Sequence, residues 1–85
     1  MEEEISLARQ LGVLIRQMRV TAGFSQEAFA DLCGLHRTYI GAIERGEKTI
    51  TIETADKVAK ALNIPLSELF SRLETNWQSD NNGKY

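Results

Sequence analysis

Arg37, Arg45 and Lys48 are the groups in this sequence best placed to engage a ligand by charge, and Thr38 adds a hydroxyl beside the first of them. Guanidinium and ammonium groups spread along one short stretch suit phosphates and base edges better than acid–base chemistry. Taken alone, such a charge cluster more often marks a solvated face. The rival chemistries have little to build on. His36 is the only histidine and Cys33 the only cysteine, so neither a metal site nor an internal disulfide can be assembled. No nucleophile stands beside a base and no phosphate loop is present, which leaves catalysis without a candidate residue. His36 falls at a helix start, where a cap or a phosphate contact is its natural role. Cys33 falls on an inward helix face and reads as a small buried hydrophobe.

The scaffold for these groups is residues 25–46, SQEAFADLCGLHRTYIGAIERG. Ser25 is a helix cap, its side-chain oxygen accepting a backbone N–H of the first turn. Phe29, Ala30, Leu32 and Cys33 supply the inner side of this first helix. Gly34 stops it, because a residue just past a helix end often needs the left-handed conformation that glycine adopts cheaply. A second helix starts at His36 or Arg37. Ile40 and Ile43 point inward, and Arg37, Thr38, Gly41, Ala42 and Arg45 stay outside. Two short helices about a glycine turn make a helix-turn-helix, whose second helix can enter the DNA major groove.

The flanks read as further helices. Leu11, Ile15, Met18 and Ala22 draw an apolar stripe through residues 5–22. Arg19 lies one step from that stripe, and its guanidinium is expected to reach Glu44, since a paired charge is tolerated near a core where a lone one is not. Thr51 caps a fourth helix over 52–62, with Ile52, Ala55, Val58, Ala59 and Leu62 inward. Asn63 ends it, and Pro65 opens a fifth with Leu66, Leu69, Phe70 and Leu73 on one face. From residue 75 the chain turns polar. The expectation is therefore an all-α bundle of five helices, one domain over residues 1–74 and a polar tail over 75–85. With 85 residues, 42% of them hydrophobic, the chain has the means for one modest core. No apolar run approaches the roughly 20 residues of a membrane span. The acidic start, MEEEIS, is unlike a signal peptide, which places the protein in the cytoplasm. The net charge of −2 counts against a nucleic-acid partner, but Glu2, Glu3 and Glu4 account for more than all of it.

Positions 11–70 resemble the Xre/Cro-type helix-turn-helix regulators, the group that includes phage repressors, through LGVLIRQMRVTAGFSQEAFADLCGL followed by HRTYIGAIERGEKTITIETADKVAKALNIPLSELF. Gln26, Ala30, Gly34, Ile40, Glu44 and Gly46 keep that family's spacing. HRTYIGAIERGEKTITI also resembles the recognition segment of restriction-modification controller proteins, which are small dimeric regulators. The resemblance implies a lambda-repressor-like fold and a transcriptional regulator of double-stranded DNA, with no cofactor and no small-molecule ligand. It implies that Gln26 meets a phosphate and that Arg37 and Thr38 read bases. Ala42 would be a third reading position, and Tyr39 and Arg45 would touch phosphates. Arg19 and Glu44 match a buried pair in the family. Gly41 and Ala42 depart from relatives that carry glutamine or serine, so reading must lean on Arg37, Thr38 and apolar contact from Ala42 to a thymine methyl. Lys48 joins the phosphate contacts.

One module makes few base contacts, so a homodimer on a palindromic operator is expected. Leu69, Phe70, Leu73 and Trp77 are the apolar candidates for its interface. The competing reading is a protein-interaction module such as an antitoxin or a co-activator bridge. The short segment outside the motif weighs against it.

Overall fold

The structure, a computed structural model, describes residues 5–82, with side chains through residue 75. Five α-helices follow one another: α1 (Leu7–Thr21), α2 (Gln26–Cys33), α3 (Arg37–Glu44), α4 (Ile52–Ala61) and α5 (Leu66–Asn82). No strand occurs among the described residues. Four of the helices open on side-chain caps. Ser6, Ser25, His36 and Thr51 each accept a backbone N–H from the first turn, satisfying a donor that the helix itself cannot. Gly34 takes φ 71° between α2 and α3, and the Leu35 N–H reaches back to the Ala30 carbonyl at 2.9 Å. That left-handed cap turns the chain sharply enough to set α3 across α2.

Phe29, Ile15, Ile40, Ile43, Leu69 and Val58 are the largest fully buried side chains, so every helix contributes to the core. α3 packs against both α1 and α2, while α5 closes the bundle against α4 and α1. The approach of α1 to α3 is unusually close. A Cβ on Gly12 would lie 2.2 Å from the Ile43 carbonyl oxygen, so only glycine admits this crossing.

Several expectations about faces need correction. Leu32 is 55% exposed, because Phe29, Ala30 and Cys33 already fill the inward face of α2 and position 32 lies to one side of it. Ile52 is 59% exposed. It is the first residue of α4, and side chains lean toward a helix N-terminus, which carries it beyond the core's edge. Ala22 is exposed and Leu14 is buried in its stead on α1. Leu69 and Leu73 are not surplus to the core: they are 0% and 5% exposed, because four short helices leave one side of the cluster open and α5 covers it. α5 also continues through Asn82, across the expected start of the polar tail, with neither glycine nor proline to stop it before Gly83.

Candidate nucleic-acid interface

The base of α3 is held by a buried polar cluster. Arg19, near the end of α1, donates from Nε to Glu44 Oε2 at 2.6 Å and from Nη2 to Oε1 at 3.1 Å. Its Nη1 donates to the Phe24 carbonyl at 2.8 Å, and Gln26 Nε2 donates to Glu44 Oε1 at 3.1 Å. Through this cluster the last residue of α3 is tied to the end of α1 and the start of α2, and Arg19 extends the tie to the loop after α1. Both ions are almost wholly buried, and no buried side-chain N or O among the described residues lacks a partner. A fully satisfied cluster of this kind fixes the orientation of a short helix more tightly than apolar packing alone.

What α3 leaves outside is its N-terminal end. His36, Arg37 and Thr38 are exposed, Tyr39 is half-buried against the core, and Arg45 is exposed just past the far end. The middle is covered. Gly41 and Ala42, expected on the outer face, are both buried, with Ala42 at 7%. An eight-residue helix packed on two sides by α1 and α2 keeps only a narrow free strip. Over Gly41 that strip is closed by Arg45 and Gln26, whose nearest atoms lie 3.1 and 3.6 Å from where a Cβ would stand. Contact from the Ala42 methyl to a thymine therefore has almost no surface to work with.

His36 acts as the helix cap. Its Nδ1 accepts the Thr38 N–H at 3.1 Å, so this nitrogen is unprotonated. The 2.6 Å contact from Thr38 Oγ1 to the same nitrogen must then be donated by the hydroxyl. Thr38 consequently presents oxygen lone pairs outward, the right polarity for an amino group on adenine or cytosine. Gln26 has its amide turned inward to Glu44, and its backbone N–H stands at the first position of α2, where the helix itself supplies no partner.

The exposed arginines both have carboxylates in reach, a feature the sequence reading did not single out. Arg45 is forked onto Glu47, Nε to Oε2 at 2.8 Å and Nη2 to Oε1 at 3.2 Å. Arg37 Nη1 lies 3.8 Å from Glu27 Oε1 in a looser, fully exposed pair. Glu47 follows Arg45 by two residues, the only signal in the sequence for the tighter pair.

Of the expected interface residues, Leu69 and Leu73 belong to the core, Phe70 is half-buried, and the Trp77 side chain lies outside the described residues. Exposed apolar surface lies beside them. Leu7, Ile50, Ile52 and Phe70 line a groove of about 420 Å³ floored by Leu11 and Leu73, with Lys48 on its rim. Leu7 and Ile52 are 66% and 59% exposed. No described helix is long and apolar enough to cross a membrane. No group of three or more His, Cys, Asp or Glu that could hold a metal ion occurs among the described residues. Burial pushes the Cys33 thiol up to about 11, which keeps it protonated and unreactive at neutral pH.

Residues 15–69 match the helix-turn-helix family model. The control protein C.SmaI of Serratia marcescens is 45% identical over 58 residues, which is 68% of this chain and 69% of that protein. The structure of the restriction-modification controller protein C.AhdI from Aeromonas hydrophila superposes with a TM-score of 0.70 at 39% identity, covering 73% of this chain and 94% of that one. C.Esp1396I, solved bound to a 25 base-pair operator site, gives 0.77 at 30% identity over 85% of this chain and 95% of its own.

Proposed function

This chain belongs to the Xre/Cro-type helix-turn-helix family, and from that premise we propose that it regulates transcription in the cytoplasm by binding a palindromic operator as a homodimer. The observation that carries the reading is the asymmetry of α3. Its buried end is anchored by Glu44 to Arg19 and Gln26, while its N-terminal end offers Arg37 and Thr38 to solvent. A rigid helix presenting its first turn is the geometry that places side chains on base edges in the major groove. Arg37 is long enough to donate twice to a guanine, and Thr38 accepts from an adenine or cytosine amino group. Arg45, Lys48, Tyr39 and the backbone N–H of Gln26 hold phosphates and set register.

Arg37→Ala is expected to weaken binding by about 1–3 kcal/mol and to relax preference at one base position. Titration against a duplex selected from random DNA and against its scrambled counterpart checks this. An equal loss on both duplexes would remove Arg37 from the reading set.

The dimer is proposed through the groove lined by Leu7, Ile50, Ile52 and Phe70, since exposed apolar surface of this kind marks an interface more often than chance. A two-fold axis there would hold two α3 helices about 34 Å apart on one side of the duplex. Ile52→Glu places a charge in that contact without touching the monomer core, whereas Leu73 is too deeply buried to serve as a probe. Sedimentation at micromolar concentration is expected to give a wild-type dimer and an Ile52→Glu monomer. A wild type that sediments only as the 9.6 kDa chain would rule the dimer out.

A further inference from the structure

Arg45 lies over Gly41, but its fork with Glu47 adds little to the fold. Both side chains are more than half exposed, so the pair adds little to stability. The Glu47 backbone N–H does close α3 by donating to the Ala42 carbonyl at 2.9 Å, but any residue except proline would supply that bond. The carboxylate is therefore left for work at the surface, and that surface is the proposed phosphate-binding edge. It takes up two of the donor atoms of Arg45 and stands next in sequence to Lys48. These two cations hold its carboxyl below the ordinary carboxylate range, the Arg45 hydrogen bonds first and the charge of Lys48 last, so it is ionised at neutral pH.

Resting on the DNA-binding reading above, we propose that Glu47 is a specificity-determining residue that withholds Arg45 from DNA phosphates until the recognition helix is fully docked. The physical basis is competition between two anions for one guanidinium. Glu47 is tethered two residues from Arg45, so its effective concentration at the fork is high. A phosphate of a duplex held loosely and in shifting register does not match it. A phosphate fixed opposite Arg45 by base contacts from Arg37 and Thr38 is equally local, and it forms the same kind of charge-assisted fork. Arg45 then exchanges carboxylate for phosphate, and the two negative charges separate as Glu47 swings into solvent. Non-specific binding, which is almost wholly electrostatic, loses a contact that the operator complex keeps. The ratio between the two affinities rises accordingly.

The test compares wild type, Glu47→Gln and Arg45→Ala on the duplex selected from random DNA and on its scrambled counterpart, each over a series of salt concentrations. Glu47→Gln is expected to steepen the dependence of log affinity on log salt for the scrambled duplex by about 0.9 per subunit, one added phosphate contact. Its slope on the selected duplex stays at the wild-type value, and the ratio of the two affinities falls several-fold. Arg45→Ala is expected to flatten the slope on the selected duplex by about 0.9 per subunit and to leave the scrambled slope unchanged. Glu47→Gln slopes that shift equally on both duplexes, or on neither, would overturn the role of Glu47 while leaving DNA binding intact. A wild type without preference between the duplexes would overturn the reading on which the role rests.

Discussion

Glu44→Ala is expected to lower the free energy of unfolding by about 3–5 kcal/mol, the cost of leaving one member of a buried ion pair without the other. Arg19, a residue only 7% exposed, would keep only the Phe24 carbonyl for its guanidinium, and the Gln26 amide would lose its acceptor. A chain of 85 residues has roughly 4–13 kcal/mol to lose at the usual stability per residue, so the variant should be partly unfolded at modest urea concentrations. The exposed fork between Arg45 and Glu47 gives an internal contrast. Breaking it should leave stability almost unchanged, because water screens both ions. Equilibrium urea unfolding of Glu44→Ala reads the difference directly. A loss below about 1 kcal/mol would mean that the cluster beneath α3 is not desolvated.

Gly12→Ala should be the other severe substitution, at or above the upper end of the roughly 1–3 kcal/mol that overpacking a core costs. Alanine has the better helix propensity by about 1 kcal/mol, so on an exposed helix face the change would stabilise. Here the added Cβ meets backbone, 2.2 Å from the Ile43 carbonyl oxygen and 2.8 Å from that of Glu44. Neither carbonyl can rotate aside as a flexible side chain would. To reach an ordinary C···O contact, α1 must lift from the end of α3 by about 1 Å. That movement would pull Arg19 away from Glu44 and reorient the recognition helix, so DNA affinity should fall along with stability. Urea unfolding and duplex titration of the one variant check both effects. A neutral or stabilising Gly12→Ala would show that the two helices do not cross this closely.

Helix order, the caps at Ser25, His36 and Thr51 and the Gly34 turn were readable in the sequence because each depends on a few adjacent residues. Ser25, Gly34, Thr51 and Asn63 carry their conformational preferences wherever they stand. The arrangement of faces was less readable. Gly41 and Ala42 sit at positions that a helical pattern leaves outside, and only the packing of α3 between two neighbours, with Arg45 and Gln26 folded over it, buries them. Ile52 has the right phase for the core and misses it by standing at the very start of α4. Leu69 and Leu73 read as surplus because the size of the cavity left by the first four helices is a property of their packing, which no single stretch of sequence records. The meeting of Arg19 with Glu44 could be anticipated, since two ionic residues beside buried stripes need each other. The part of Gln26 in the same cluster could not, because an amide is at home in water as well as against a carboxylate.

On the proposed function, α3 reads a base sequence through Arg37 and Thr38 in two symmetry-related copies. Repeated selection of duplexes from a random pool by the wild-type protein, followed by sequencing of the retained DNA, tests it most directly. A palindromic consensus with half-sites centred about 10 base pairs apart is expected. The same selection with Arg37→Ala is expected to lose one base preference in each half-site. Retained duplexes without a shared sequence, or a consensus that Arg37→Ala leaves unaltered at every position, would contradict it.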